Sequence, residues 1–248
     1  MKKLLVVLVG IFLFAVATTA FAEVKATVGV KAWANKWDWK VEDDFGNSKT
    51  WDNGNALMVG PSLNLRFGDH FFVGASYLMT TKDYESGDWD LGSGSGTGTM
   101  SFERKDLDLT MGIMFSRYFG AFVGYKTIDA PATGTDPSIG LSGADMGTWT
   151  LKGPGFGLVA SIPLGGSAAL YGNLAFMKME DKWEFASGGS SSSTDYTGGS
   201  LELGAAVAFT QSFSGTLGYK IQSFSGDYTG GTDTHTFSGV TLGLNLTF

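Results

Sequence analysis

The sequence predicts an all-β chain that folds as a transmembrane, antiparallel, up-and-down β-barrel of ten strands, with eight strands as the alternative count. Three observations carry this prediction. Strands with period-2 alternation recur along the chain, tight and long connections follow one another in turn, and an export signal precedes the first strand. Glycine is abundant, with 37 residues, and only five prolines occur, which favours a barrel over a disordered chain.

The last strand shows the pattern most clearly. From Ser238 to Phe248 one face carries Val240, Leu242, Leu244, Leu246 and Phe248, whereas the other carries Gly, Thr and Asn. The second face has no large apolar residue, so the strand cannot lie between two packed sheets. A strand with water on one side and hydrocarbon on the other is typical of a transmembrane barrel.

The amino end resembles a secretory signal. Residues 1 to 22, MKKLLVVLVGIFLFAVATTAFA, combine Lys2 and Lys3, an apolar run and an A-x-A arrangement before Glu23. A retained anchor helix is the alternative, but the apolar run is shorter than the roughly 20 residues that a span needs. We therefore predict a signal peptide at residues 1–22 and a single barrel domain at residues 23–248.

Ten segments alternate in this way, each with Val, Leu, Ile, Phe or Ala on its outward parity. The first pairs its valines and alanines with lysine, threonine and glycine, and the fourth sets Leu107, Leu109 and Ile113 against Asp106 and Asp108. The ten strands are predicted at residues 23–40, 57–67, 71–79, 106–115, 119–126, 156–164, 169–177, 201–209, 216–222 and 234–248.

The connections support the same fold. Tight turns are predicted near residues 68–70, 116–118, 165–167 and 211–214, and long polar loops at residues 41–55, 86–100, 130–147, 186–199 and 226–233. Outer-membrane barrels have short periplasmic turns and longer outer loops. A soluble β-sandwich or lipocalin is the alternative, but such a fold does not require this regular alternation.

Charged residues with inward parity are the candidate functional residues. They are Lys25, Lys31, Arg66, Asp106, Asp108, Lys126, Glu202 and Lys220. A charge inside a narrow barrel must be hydrated or paired. Either these residues form a network that fills and stiffens the lumen, or they line a thin channel and set its ion preference. Because Trp33 and Trp37 share the inward parity, we expect a mostly filled lumen.

Other aromatic residues lie near the strand ends. Trp39, Trp149 and Trp183, towards the long loops, are expected to join an interfacial girdle where they face outward.

The chain resembles the small Gram-negative outer-membrane β-barrel proteins of the opacity and OmpA type. The resemblance covers the whole mature chain and rests on the strand pattern and on the terminal GLNLTF. It implies an outer-membrane location, contacts with membrane lipid and lipopolysaccharide, and a carboxy-terminal signal in Leu244, Leu246 and Phe248 for the barrel assembly machinery. The opacity and OmpA group usually has eight strands, so ten strands leave the subfamily open.

A short motif is similar to one in the omptins, which are ten-stranded outer-membrane proteases. Asp88 and Asp90 lie in one outer loop and Asp233 and His235 in another, and an imidazole oriented by a carboxylate can activate water. Here the Asp-x-His lies in the fifth loop, whereas the omptin pattern has it in the fourth. The alternative is that these are solvated loop residues.

Composition excludes several functions. The chain has no cysteine and two histidines, so neither disulfides nor a transition-metal site is expected, and we expect no cofactor. Without the signal lysines the formal net charge is near −9, which argues against a nucleic-acid partner. We expect a non-enzymatic barrel with a structural or surface-interaction role; a narrow passive channel for ions or small solutes is the alternative, and an omptin-like protease a third. The sequence names no extracellular ligand.

Overall fold

The fold was obtained as a computed structural model that describes residues 24–89, 91, 98–190 and 193–248. The predicted signal peptide lies outside the described residues. This part of the chain contains no helix capable of crossing a bilayer. It forms twelve antiparallel strands and one short 3₁₀ turn, Pro137–Ile139. The strands are β1 Val24–Asp43, β2 Ser48–Phe67, β3 Phe71–Thr80, β4 Tyr84–Trp89, β5 Gly98–Phe102, β6 Lys105–Met114, β7 Phe119–Asp136, β8 Leu141–Gly165, β9 Ala168–Glu184, β10 Thr194–Ala208, β11 Phe213–Tyr228 and β12 Gly231–Thr247.

Ten of these strands close into a barrel. Each pairs with its neighbours around the ring in the order β1, β2, β3, β6, β7, β8, β9, β10, β11 and β12, and β12 pairs with β1. The β4–β5 hairpin continues the third and fourth barrel strands at one end, where β5 pairs with the last part of β7. The all-β, ten-strand, up-and-down barrel predicted from the sequence is therefore confirmed.

The two ends of the barrel differ. At one end tight turns join β2 to β3, β6 to β7, β8 to β9 and β10 to β11. At the other end the strands run further than the sequence predicted, because residues assigned to long loops belong to strands. The first loop shrinks from residues 41–55 to a turn of residues 44–47. The fifth shrinks from residues 226–233 to Thr229 and Gly230, which join Tyr228 of β11 to Gly231 of β12.

An apolar belt surrounds the half of the barrel nearest the tight turns. Its side chains point outward on every barrel strand, and the chain ends within it. Members of the belt that are more than a third exposed include Val28, Val30, Leu63, Leu107, Leu109, Ile113, Val123, Phe156, Leu158, Leu170, Phe176, Leu201, Leu203, Leu217, Val240, Leu242, Leu244 and Leu246. Such a belt matches the lipid-facing band of an outer-membrane barrel.

Beyond the belt the strands continue as an outer extension. Its lower boundary is marked by outward polar residues such as Lys36 on β1, Lys152 on β8 and Lys178 on β9, each one or two outward positions past the belt. From Lys36 to the end of β1 at Asp43 the strand rises about 3.3 Å per residue at a tilt near 40°. The extension therefore stands roughly 20 Å above the belt.

Candidate functional site

The lumen of the outer extension holds a buried apolar core. Inward residues from eleven of the twelve described strands meet there, and all are almost fully buried. This outer core consists of Trp33, Trp37, Ala56, Met58, Leu78, Tyr84, Met100, Phe102, Ile128, Ala130, Ala132, Trp149, Leu151, Met179, Tyr196, Phe224 and Phe237. Above the membrane the outward face of each strand meets water instead of lipid. These strands therefore bury their apolar side chains inside the barrel.

Trp37 lies at the centre of the outer core. Its ring centroid is 4.9 Å from that of Phe102, 5.3 Å from Phe237, 5.5 Å from Tyr84 and 5.6 Å from Trp149. These rings come from five strands around the barrel and are packed at the distances of direct aromatic contact. Side chains therefore fill the cross-section of the lumen at this level. Trp33 and Trp37 are lumen-filling residues, as their parity predicted.

An ionic layer lies directly beneath the outer core. Arg104 donates two hydrogen bonds to Asp106, from Nε to Oδ1 at 2.6 Å and from Nη2 to Oδ2 at 2.7 Å. Lys126 Nζ donates to Asp106 Oδ2 and to Asp108 Oδ1, both at 2.9 Å. Two cations thus face two anions, and this pairing is what permits buried charge.

Arg104 also links the ionic layer to the rest of the barrel. Its guanidinium carbon lies 3.7 Å from the centroid of Phe237 and 5.2 Å from that of Trp33, and Nη2 donates to Gln222 Oε1 at 3.2 Å. The sequence prediction missed this residue. The signal was the Arg104-x-Asp106 spacing, because residues two apart in extended backbone point to the same side.

Below the ionic layer the lumen opens into a cavity of about 340 Å³ with charged, polar and apolar side chains in its walls, which we name the cup. Lys31, Asp108, Lys126, Glu202 and Lys220 line it, together with polar residues of β1, β2 and β12 and apolar residues of β3, β7, β8 and β9. Its walls reach Thr27, Asn64, Phe72 and Asn245, each within four residues of a strand end at the tight turns. The cup is thus a lumen segment adjoining the periplasmic end, with the ionic layer as its ceiling.

The predicted inward charges all lie at or below the ionic layer, in three groups. Asp106, Asp108 and Lys126 belong to the layer, and Lys31, Glu202 and Lys220 line the cup. Lys25 and Arg66 are register partners at the mouth, where Arg66 Nη2 donates to the Asp69 carbonyl at 3.1 Å.

The last residues of the chain close the barrel. Phe248 N–H donates to the Ala26 carbonyl at 2.8 Å, and the Phe248 carbonyl accepts from Ala26 N–H at 3.2 Å. Leu244, Leu246 and Phe248 point outward and are exposed on the belt. Their suggested part in assembly stays a prediction.

Asp233 and His235 lie inside the outer extension rather than in a loop. Trp37 Nε1–H donates to His235 Nδ1 at 3.3 Å, which leaves the proton on Nε2, 3.6 Å from Asp233 Oδ1. Asp233 also accepts hydrogen bonds from Tyr196 Oη, at 2.8 Å, and from the Trp39 indole. Burial lowers the pKa of His235 to about 3, with the nearby Arg104 charge acting in the same direction. The imidazole is therefore neutral.

A second carboxylate, Asp181, faces this group. It accepts a hydrogen bond from the Trp149 indole, and burial raises its pKa to about 6, with the Asp233 charge adding to the rise. Burial likewise raises the pKa of Asp233. Trp39, Trp149 and Trp183 make hydrogen bonds in the interior, so they do not face outward, and the condition set for their place in a girdle is not met.

The omptin-like aspartates are not brought to this histidine by any described contact. Asp90 lies outside the described residues, and only the backbone of Asp88, in β4, is described. His235 itself is 3% exposed, with the rings of Trp149, Trp39, Trp37 and Tyr196 centred 4.5 to 6.0 Å away. Those rings separate it from any surface that a substrate could reach.

No family model and no curated protein matches the sequence. Among solved structures the chain is similar to the outer membrane protease OmpT from Escherichia coli, with 15% identity, coverage of 91% of this chain and 96% of that chain, and a TM-score of 0.53. It also matches Neisserial surface protein A, with 11% identity, coverage of 90% and 97%, and a TM-score of 0.42. A third match is Ail of Yersinia pestis, with 13% identity, coverage of 90% and 99%, and a TM-score of 0.35.

NspA and Ail align too loosely to add to the likeness, and at 15% identity the likeness to OmpT concerns the fold alone. The closed antiparallel ring has an outward apolar belt, and its described lumen below the outer core carries charged and polar side chains. Together with the shared fold, these features identify the chain as an outer-membrane β-barrel.

Proposed function

We propose that this protein is a non-enzymatic barrel of the Gram-negative outer membrane, with a closed lumen and a structural or surface-interaction role. The observation that carries the proposal is the outer core: Trp37 and the four rings around it fill the lumen above the ionic layer. A barrel of about eight strands is just wide enough to be filled by side chains, and ten strands here are filled by unusually large ones.

The ionic layer argues for the same function. A passive channel needs a hydrated path, whereas Arg104, Asp106 and Lys126 are almost fully buried and joined by ion pairs. Opening a path would expose an apolar core to water and separate paired charges, each of which costs several kcal/mol. The alternative role as a narrow channel therefore requires a large rearrangement of the outer core.

The likeness to OmpT is one of fold, and fold does not transfer an activity. A histidine that acts as a general base must reach the proton that it removes, and its pKa should lie near the working pH. His235 is enclosed by four aromatic rings, and its pKa is lowered to about 3. These properties favour a structural role, in which His235 accepts a hydrogen bond from the Trp37 indole N–H inside the outer core.

The belt and the chain end suggest the partners. The outward leucines, valines and phenylalanines would contact membrane lipid, and lipopolysaccharide would face the outer part of the belt and the extension. Leu244, Leu246 and Phe248 would engage the barrel assembly machinery. Interaction with other molecules outside the cell would fall to the outer extension, whose outward faces are polar.

Conductance in planar bilayers tests the closed lumen. We expect the folded mature chain to give no unitary steps, and a variant with Trp37→Ala, Phe102→Ala and Phe237→Ala to conduct because its outer core is emptied. A matched control removes three side chains of the belt with Leu203→Ala, Leu217→Ala and Leu242→Ala and should stay silent. Reproducible steps from the unaltered chain, with a reversal potential that depends on the KCl gradient, would refute the proposal.

A peptidase assay tests the absence of catalysis. We expect no cleavage of a panel of fluorogenic peptides by the refolded chain, between pH 5 and 8. Cleavage that disappears in His235→Ala, while heat-resistant folding on SDS gels is retained, would establish an enzyme instead.

A further inference from the structure

We propose that the cup is a binding site for a small amphipathic carboxylate that enters from the periplasm. The proposal rests on the closed lumen, because the ionic layer makes the cavity a dead end instead of part of a pore. At about 340 Å³ the cup lies within the range of small-molecule sites, at its lower end. Its walls have unequal chemistry, and that inequality specifies the ligand.

One wall of the cup is basic and polar. Lys31 of β1 and Lys220 of β11 project into it beside Ser62, Asn64 and Asn245 of the neighbouring strands. The four strands β11, β12, β1 and β2 are consecutive around the barrel, so these groups share one side. They supply two ammonium groups and several hydrogen-bond donors, the groups that bind a carboxylate.

The opposite wall carries the large apolar side chains of the cup. They are Phe72, Phe122, Val159 and Met177, three of which come from β7, β8 and β9 on the far side of the ring from β1; Lys126 and Asn173 are the polar residues of those strands that also line the cup. The outer ends of the Phe72 and Phe122 rings lie close over glycines, where no side chain could stand. A Cβ added at Gly112 would lie 2.4 Å from Phe72 Cζ, and one at Gly157 would lie 2.5 Å from Phe122 Cζ. The rings therefore cover the wall and leave the middle of the cup open.

The acidic residues of the cup are already engaged. Asp108 accepts from Lys126 at 2.9 Å, and Glu202 Oε1 accepts from Tyr171 Oη and Thr241 Oγ1, both at 3.0 Å. The two lysines of the basic wall differ from Lys126, because neither Lys31 nor Lys220 forms an ion pair in the described part of the chain. Lys220 Nζ lies 4.7 Å from the Trp33 ring centroid, and Lys31 has no hydrogen-bond partner among the residues that the structure describes.

Four cations of the ionic layer and cup, Arg104, Lys126, Lys31 and Lys220, face three carboxylates, Asp106, Asp108 and Glu202, the last being the register partner of Lys220. One more anion between the two lysines would therefore balance these charges. The apolar wall opposite would accept a compact aromatic or aliphatic body on the same molecule, and burying that body adds to the affinity. A cation would add to the one surplus positive charge, and a neutral polar molecule would leave that charge uncompensated. The expected ligand is accordingly a monocarboxylate whose apolar body has the size of a single ring or of two fused rings.

The experiment uses 2-naphthoate as the probe and naphthalene-2-carboxamide as its neutral match. Binding to the refolded barrel in detergent micelles is followed by NMR of ¹³C-methylated lysines, which reports the two wall amines directly. We expect the carboxylate to bind at least ten times more tightly than the carboxamide and to shift the Lys31 and Lys220 signals. Lys31→Gln with Lys220→Gln should weaken naphthoate binding at least tenfold.

The matched control is Lys178→Gln with Lys182→Gln, two exterior lysines of β9 that should leave binding unchanged. Phe122→Leu should weaken both probes by a similar factor, because it alters the apolar wall alone. Equal binding of carboxylate and carboxamide would reveal partition into micelle or apolar wall and overturn the proposal. So would naphthoate binding that is absent or insensitive to the lysine replacements. If the protein does not conduct in planar bilayers and does not bind naphthoate, only the proposed binding site is rejected. If it conducts, the closed lumen on which that site rests is rejected.

Discussion

The belt and the outer extension are built from the same strands with opposite polarity. On β12 the outward residues are Val240, Leu242 and Leu244 within the belt but threonines in the extension, at positions 232, 234 and 236. The inward parity changes from glycine, threonine and asparagine in the belt to His235 and Phe237 above it. Each level of the barrel has one apolar side, and the surroundings decide which.

The polarity reverses because the apolar side chains find different partners at the two levels. In the membrane, lipid covers the outward face, so the lumen can be polar and hold charges and water. Above the membrane, water covers the outward face, so the barrel must form its own core like a soluble protein. The ionic layer lies where these two regimes meet. Four predictions test this contrast, from the largest expected effect to the smallest.

Reversing the charge of Lys126 should have the largest effect. Lys126→Glu brings a third carboxylate against Asp106 and Asp108 in a buried layer. Breaking a buried pair costs about 3 to 5 kcal/mol, and the added repulsion raises that cost. We expect this loss in the free energy of unfolding, measured by urea titration in lipid vesicles. Lys178→Glu, at an exposed pair with Asp195, should change it by less than about 1 kcal/mol; equal losses would contradict the buried network.

Removing the central ring of the outer core should loosen the extension more than the belt. Trp37→Ala should cost about 3 to 5 kcal/mol, the usual cost of deleting a large buried aromatic. Hydrogen exchange should accelerate at residues 233–237 of β12 and stay slow at residues 240–246. Phe45→Ala, at a 91% exposed side chain, is the control and should alter neither. Uniform acceleration along β12 would mean that the two halves unfold as one.

A charge on the outward face should be harmful only within the belt. Leu203 and Thr197 lie on the same parity of β10, with Leu203 in the belt and Thr197 in the extension. Leu203→Arg should cost about 2 to 4 kcal/mol, since it faces lipid near the middle of the membrane. Thr197→Arg should cost less than about 0.5 kcal/mol. Similar unfolding energies for the two variants would place the membrane boundary elsewhere.

Asp181 should make the outer extension less stable as pH rises. Its folded pKa, near 6, exceeds the ordinary value of 3.8, so the folded state holds the proton more tightly between those limits. Stability should fall from about pH 4 to pH 6, by up to about 3 kcal/mol for a two-unit shift, and the loss should persist above pH 6.

Asp181→Asn keeps an acceptor for the Trp149 indole but cannot ionise, so it should be more stable than the parent chain at pH 8 and equal to it near pH 4. The difference between the two chains is the quantity to measure, because His235, whose pKa is lowered, loses stability in the opposite direction as pH falls. A difference that does not vary with pH would show that Asp181 is not the titrating group. Asp195→Asn, at an exposed site, serves as the control.

Alternation made the strand number and the belt predictable. Each belt strand has one face in lipid, so its pattern is as regular as its surroundings. The outer extension escaped prediction because its apolar residues are aromatic, spaced among Asp, Asn, Gly and Ser, and resemble loop composition. Residues 52–54, Asp-Asn-Gly, suggest a turn, yet they lie inside β2, next to the register shift between Lys36 and Asp38.

The candidate site was predictable to the extent that parity fixes direction. Inward parity selected the charges of the cup and the ionic layer, but pairing depends on neighbours that are far apart in sequence. Gln222, for example, meets Arg104 across 118 residues. The indole positions mark another limit. Trp149 was expected in a girdle only where it faced outward, and its direction stayed open because the strand was predicted to begin at residue 156, whereas it begins at Leu141.

The seam between β1 and β12 has a consequence for how the protein must be made. Ala26 and Phe248 are joined by two backbone hydrogen bonds across almost the entire chain, and the β1–β12 ladder continues to Asp43 and Gly231. Until the final strand has been synthesised, every partly formed sheet has two unpaired edges, which are open to aggregation. Contacts so distant in sequence also form slowly. The nascent chain must therefore be protected from other strands until β12 has paired with β1.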